Sequence, residues 1–380
     1  MDTSRIYLDN NATTAMLQDV VDAVQFSWQN AYGNPGSRHS FGRDARRILE
    51  DGRENIAEIL GADPSELIFT SGGTESVHLA VHGLTFGRTG TIALTAGEHP
   101  CVRQSCEQAH QAGMRLITLE VDRNGRLREE QFDELPWNEL RLVCVLLAHN
   151  ETGVIQDVRR LSELCLRNRV PLFLDAVQAV GKIPVDFSQL QPAALAFAAH
   201  KFHGPRGIGG LLLRRDIRLK PLFEGGHQEG GRRAGTENVA LISGMSTALT
   251  LWKQSIDAQS ADIDAMRDRF ETLIRNSIPS VQIHGRDAPR LPNTSCIGFP
   301  NVSGDALLVN LDLSGVAASL GSACASGSAE PAPGLLAMGV PATLCRSSLR
   351  FSLSRLNTMQ EIDEAAARIV TVVRRMQGGG

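Results

Sequence analysis

Leu142-Val143-Cys144-Val145-Leu146-Leu147-Ala148 is an unbroken apolar run, followed by the amphipathic stretch Arg159–Arg167 and a second apolar run, Pro171-Leu172-Phe173-Leu174. A short run with no polar face reads as a strand covered on both sides. Strand, helix, strand in that order is a βαβ unit, which sets its two strands parallel. The alternation continues outward. Upstream, Leu67–Thr70, Thr91–Leu94 and Arg115–Leu119 read as strands, with helices over about 75–84 and 101–112 between them. Downstream, Leu195–Ala199 and Gly209–Leu213 read as further strands. The expectation is an α/β fold with a mostly parallel sheet.

Beyond about residue 240 the pattern changes. A long helical stretch runs from Val239 to about Asn276, then strand patterns at Asn293–Phe299 and Ser348–Ser352, then a closing helix from Met359 to Met376. This reads as a smaller α/β domain, and Arg5-Ile6-Tyr7-Leu8 reads as a strand near the start. The net charge is −4 and no long basic run occurs, so no nucleic-acid partner is expected. No secretory signal and no span long enough for a bilayer appear, so a cytoplasmic enzyme is expected. The cysteine count is seven, with no Cys-x-x-Cys pair, so neither a disulfide framework nor a metal site is expected. Cys144 and Cys165 read as small core residues.

Five motifs carry chemistry. Ser71-Gly72-Gly73-Thr74-Glu75 follows a strand and opens a helix, which makes it either a phosphate cradle or a plain turn. Asp175, in Phe173-Leu174-Asp175-Ala176-Val177-Gln178, ends a buried strand, where it either pairs with a protonated ring nitrogen or caps a helix. Lys201, in Ala199-His200-Lys201-Phe202-His203-Gly204, follows an apolar strand and is out of place as a solvated charge; a desolvated lysine forms Schiff bases. The glycine-rich stretch 225–236, with Arg232 and Arg233, is either a hinge or an anion-binding loop. Cys324 lies in the small-residue loop Ser319–Ser328, near Arg346 and Arg350, and reads as an accessible thiol. Arg350, on a short strand, suits a two-bond clamp on a carboxylate. Together these fit pyridoxal-phosphate chemistry on an amino acid.

The chain resembles the NifS/IscS-type cysteine desulfurases, within the class V aminotransferase-like group and its type I pyridoxal-phosphate transferase fold. The likeness runs from Tyr7-Leu8-Asp9-Asn10-Asn11-Ala12-Thr13-Thr14, through Asn34-Pro35-Gly36-Ser37-Arg38-His39, to Leu349-Arg350-Phe351-Ser352-Leu353. It implies a large cofactor-binding domain over residues 14–256 and a small domain of residues 1–13 plus 257–380 that carries the cysteine loop. It implies that Lys201 holds pyridoxal 5'-phosphate and later moves the substrate Cα proton. Asp175 would pair with the ring nitrogen and Gln178 with the ring hydroxyl, while His99 stacks on the ring and serves as an acid–base group. Gly73, Thr74 and His200 would hold the phosphate, joined by Thr236 from the other subunit of a homodimer. Asn150 and Arg350 would bind the substrate carboxylate, and Cys324 would take the sulfur of L-cysteine as a persulfide, releasing L-alanine. A sulfur-acceptor protein follows, with iron–sulfur cluster assembly or another sulfur-containing cofactor as destination.

Departures from the family pattern are Ala198 where Ser is frequent, which removes one phosphate contact, His227 where a third Gly is usual, and Ala15 for a frequent Pro. The longer C-terminal segment by which IscS-type members dock a scaffold has no counterpart, while the long Cys324 loop separates the chain from the SufS-like branch. The alternatives are a selenocysteine lyase or another β-eliminating lyase, which needs no protein thiol, and a non-catalytic partner, against which Lys201, Asp175, His99 and Cys324 argue.

Overall fold

The structure is a computed structural model and describes residues 5–320 and 331–378, apart from the side chains of 257–259. The expected strands Leu67–Thr70 and Gly209–Leu213 and the helix Arg159–Arg167 form with those bounds. The other expected elements form within two residues of expectation at nearly every end. The helix Gly73–Thr85 starts two residues early, and the first strand shortens to Ile6–Tyr7.

Seven strands make the main sheet, in the order Leu67–Thr70, Gly209–Leu213, Ala194–Ala198, Leu172–Asp175, Leu140–Leu146, Gly90–Thr95, Met114–Leu119. Gly209–Leu213 runs antiparallel to both neighbours and every other pairing is parallel. Six of the seven strands therefore point the same way. Apart from the edge strand Met114–Leu119, their residues are almost all buried, as strands covered by helices on both faces must be. The carboxyl ends at Thr70, Thr95, Leu146, Asp175 and Ala198 then share one edge, where open α/β sheets bind ligands.

Among the helices not expected from sequence, which include Gly304–Leu313, the two longest are Gln18–Asn30 and Ser40–Ile59. Both lie against the long helix Val239–Ser277. Their buried faces are made largely of small residues: Gly42, Ala45 and Gly52 in the second, and Val20, Val24 and Ser27 in the first. In the second helix Leu49, Arg53 and Ile56 share that face, and its glycines permit close approach. A Cβ on Gly52 would lie 2.9 Å from Ile242 Cγ2.

A second core collects around Phe270, Phe299 and Phe351, with ring centroids 5.2 and 6.4 Å from Phe351. It packs beneath an antiparallel sheet ordered Ser319–Leu320, Ser348–Ser352, Thr294–Gly298, Gln282–Ile283. Ile6–Tyr7 pairs in parallel with Val316–Ala317, so the start of the chain joins this second body. The helix Val239–Ser277 serves both cores: Ile242, Leu249 and Trp252 face the first, and Met266, Phe270 and Ile274 the second.

Candidate active site

A cavity of about 220 Å³ opens at the shared strand edge. Gly73, Thr74, His99, Asn150, Asp175, Gln178, His200 and Lys201 all line it, together with Cys101 and Ala198. They arrive from the carboxyl ends of five strands: Gly73 and Thr74 from the first, His99, Asn150, Asp175 with Gln178, and His200 with Lys201 from the others. The sequence pattern thus brings eight of the eleven expected site residues to one place. Arg350 stands just behind, donating from Nη1 to the Asn150 carbonyl at 3.0 Å. Thr236 is exposed and does not line this cavity. Cys324 lies outside the described residues.

Lys201 sits on the single turn Ala199–Lys201 that ends the Ala194–Ala198 strand. Its Nζ donates to the Asn11 carbonyl at 2.7 Å and the Ala12 carbonyl at 2.9 Å. Burial, and after it the Arg350 charge, push the amine down to about 8. Asp175 is 2% exposed and accepts from the Val177 N–H at 3.0 Å; a turn and not a helix follows it, so it caps no helix. Burial raises its carboxyl; His99 and Lys201 oppose the rise.

His99 caps the helix Pro100–Gln111. Its Nδ1 accepts from the Cys101 N–H at 3.2 Å and lies 2.9 Å from Cys101 Sγ. A backbone N–H can only donate, so Nδ1 is the bare nitrogen and the neutral ring carries its proton on Nε2. Burial lowers the ring's proton affinity, which keeps that neutral form. His200 is likewise pushed down to about 4 by burial and Lys201, and its Nδ1 lies 3.3 Å from Thr13 Oγ1. A neutral His200 meets an anion as a hydrogen-bond donor and adds no charge.

Gly73 opens the helix over the cavity, and a Cβ there would lie 2.8 Å from Val177 Cγ2. The backbone can approach a ligand there only because the residue is glycine. Arg350 is 7% exposed; Nη2 donates to Asp9 Oδ1 at 2.8 Å, and buried Nε has no partner among the described residues. Two further groups went unmarked in the sequence. Glu98 is buried beside Asp175, takes the Leu146 N–H at 2.7 Å, and is pushed up to about 8 by burial and then by Asp175. Lys182 is buried with its amine on Asn11 Oδ1 and Gln178 Oε1. The argument that marks Lys201 applies equally to Lys182, which follows the apolar run Ala179-Val180-Gly181.

These donors fit pyridoxal phosphate. The cavity offers an amine of depressed proton affinity, a buried carboxylate for a ring nitrogen, and a glycine-opened helix start for a phosphate. No group of His, Cys, Asp and Glu among the described residues is arranged to hold a metal, and no described helix is long and apolar enough to cross a membrane.

Comparison with known proteins agrees with the geometry. Residues 6–365 match the model of the aminotransferase class-V family, and the chain belongs to that family. It is 40% identical over 376 residues to a cysteine desulfurase of Nostoc sp., covering 98% of this chain and 94% of the relative. It is 39% identical over 375 residues to the cysteine desulfurase NifS of Azotobacter vinelandii, covering 98% and 93%. Among solved structures, a NifS-like protein superposes with a TM-score of 0.90 at 31% identity, covering 97% of this chain and 99% of that one.

Proposed function

We propose that this chain is a pyridoxal-phosphate-dependent cysteine desulfurase that converts L-cysteine to L-alanine and keeps the sulfur as a persulfide on Cys324. The observation that carries the reading is the convergence of Lys201, Asp175 and His99 on one cavity, with the Lys201 amine lowered to about 8. The names borne by full-length relatives support it.

In this reading Lys201 holds the cofactor, Asp175 faces its ring nitrogen, Gln178 its ring hydroxyl, and Gly73, Thr74 and His200 its phosphate. When bound, the cofactor supplies an electron sink for the pair released at the substrate Cα. Asn150 and Arg350 receive the substrate carboxylate; each Nη of Arg350 keeps a second N–H beyond those spent on Asn150 and Asp9. Freed by the substrate, Lys201 is neutral often enough near pH 8 to take the Cα proton. His99 presents Nε2–H as a donor. The Cys324 thiolate attacks the substrate sulfur, so that an S–S bond forms as the Cβ–S bond breaks. The electron pair of that bond goes to Cβ, which is then protonated. The sum is cysteine plus enzyme thiol giving alanine plus enzyme persulfide.

The reading includes two domains, built on the two cores, and a homodimer in which Thr236 reaches the partner's phosphate site. Phe26, Trp28, Tyr32, Phe41 and Phe223 are all more than half exposed, as an unpaired protomer face would be. Light scattering on the purified protein tests the dimer. A sulfur-acceptor protein completes the cycle, with iron–sulfur cluster assembly or another sulfur-containing cofactor as destination.

The decisive experiment compares wild type with Cys324→Ala on L-cysteine, reading cofactor absorbance, alanine release and protein mass. Wild type gains one sulfur and releases alanine, while the variant keeps the absorbance and releases none. A variant that turns over like wild type transfers the assignment to a simple lyase.

A further inference from the structure

Asn11 is the junction of the site. Its carbonyl accepts from Lys201 Nζ at 2.7 Å and Gln178 Nε2 at 2.9 Å. Its side-chain Nδ2 donates to the Asn150 carbonyl at 3.3 Å and Thr294 Oγ1 at 2.9 Å. Its Oδ1 accepts from Lys182 Nζ at 2.7 Å and Asn293 Nδ2 at 3.0 Å. The second contact of Lys182 Nζ is Gln178 Oε1 at 2.6 Å.

The orientation of both amides follows from this pattern. A carbonyl accepts only, so the end of Gln178 on the Asn11 carbonyl is its NH₂, and the end of Asn11 on the Asn150 carbonyl is its NH₂. Both amide oxygens must then face Lys182. An amine there satisfies two buried oxygens at once. Without it, the Gln178 oxygen is buried with no donor, and the cheapest repair is a flip or swing of the amide. That motion removes a donor from the Asn11 carbonyl, which also holds Lys201.

We propose that Lys182 is a positioning residue, a second buried amine that sets the amides of Gln178 and Asn11 and, through the Asn11 carbonyl, the place of Lys201. The inference rests on the reading of Lys201 as the cofactor lysine. Lys182 touches neither that cofactor nor the substrate in this arrangement; it acts through Gln178 and Asn11. Burial and the charges of Lys201 and Arg350 depress its proton affinity strongly. The role survives that shift, because a neutral amine still has N–H groups to donate.

The test uses apoprotein of wild type, Lys182→Met, Gln178→Ala, the double variant, Lys182→Arg and Lys201→Ala. Each is titrated with pyridoxal phosphate, and the affinity and the pH midpoint of the bound cofactor's absorbance are read. Loss of donors to one buried amide predicts about a tenfold weaker cofactor for Lys182→Met, with a displaced pH midpoint. The double variant is expected to be no weaker than the weaker single variant, because both changes cut one path. Lys182→Arg, which keeps the donors, recovers most of the affinity. If Lys182→Met does not fold, Lys182→Gln makes the same comparison. A Lys182→Met protein that matches wild type in both affinity and midpoint overturns the inference, as does a double variant whose loss is the product of the single losses. If wild type takes up no cofactor, or Lys201→Ala binds it with the wild-type absorbance, the Lys201 reading fails and takes this inference with it. A wild type that loads normally beside an unchanged Lys182→Met sinks the inference alone.

Discussion

The depressed Lys201 amine makes a prediction that can be worked through in numbers. Its ordinary value is near 10.5, and burial with the Arg350 charge brings it to about 8. At pH 7 an ordinary lysine is neutral in roughly one molecule in 3,000, whereas one at about 8 is neutral in roughly one in ten. The neutral fraction is the nucleophile for an aldehyde, so the fold supplies a gain of roughly 300-fold before any orientation. The rate at which apoprotein takes up pyridoxal phosphate should therefore rise about fivefold from pH 7 to pH 8, bend near pH 8 and level off above about pH 9. Stopped-flow absorbance follows it directly, above the range where the cofactor's own phosphate titrates. Arg350→Gln removes the positive charge that adds to burial, so the break moves to higher pH, toward the ordinary lysine value. A wild-type rate that keeps climbing to pH 10 would show an unperturbed amine and refute the argument. A break that stays in place in Arg350→Gln would leave burial as the sole cause.

Three further outcomes follow from buried groups. Arg53 donates to both carboxylate oxygens of Glu229, at 3.0 and 2.7 Å, in a pair whose side chains are 10% and 1% exposed. Arg53→Met strands that carboxylate and is expected to cost about 3–5 kcal/mol, most of it recovered in Arg53→Met/Glu229→Gln; urea unfolding measures both. Glu98, raised from 4.5 to about 8, binds a proton in the folded protein that the unfolded chain has lost between those values. Its contribution is full below pH 4.5 and is lost as pH rises through about 8, on the order of 3 kcal/mol by pH 7. Glu98→Gln keeps an oxygen for the Leu146 N–H, so the variant's urea midpoint should fall less between pH 4.5 and 8 than that of wild type. Gly97 has φ +84°, and a Cβ there would lie 2.5 Å from Gly334 Cα. Gly97→Ala is therefore expected to lower the thermal midpoint, with strain of about 1–3 kcal/mol for the left-handed backbone plus the clash.

The parallel sheet was legible because its strands are apolar on both faces, a signal that needs no partner to be read. The cavity's lining was legible wherever a polar residue interrupts an apolar run, as Asp175 and Lys201 do. The helix Ser40–Ile59 was legible too, since Ala45, Leu49, Gly52 and Ile56 recur at helical spacing, but it carries no chemical motif and was passed over. Glu98 was passed over for a different reason. Its neighbour His99 takes the attention in Glu98-His99-Pro100, and nothing local shows that a strand 48 residues later brings the Leu146 N–H to the carboxyl.

Asn11 carries that point furthest. It sits in a polar stretch that local pattern assigns to a loop, and its importance lies wholly in contacts 139 to 341 residues away. Its backbone N–H donates to Ser352 Oγ, its side chain to Thr294, and its carbonyl accepts from Gln178 and Lys201. Ser352 and Thr294 pair across the sheet of the second core, whereas Gln178 and Lys201 belong to the edge of the main sheet. One residue therefore fixes the position of the second body relative to the amine of the first. Arg350 uses the same route, since it reaches the Asn150 carbonyl that Asn11 also holds. A shift of the second body cannot leave Lys201 undisturbed, because the carbonyl that receives its amine would move too. The distance between Arg350 and Lys201 is thereby tied to the seating of the two bodies.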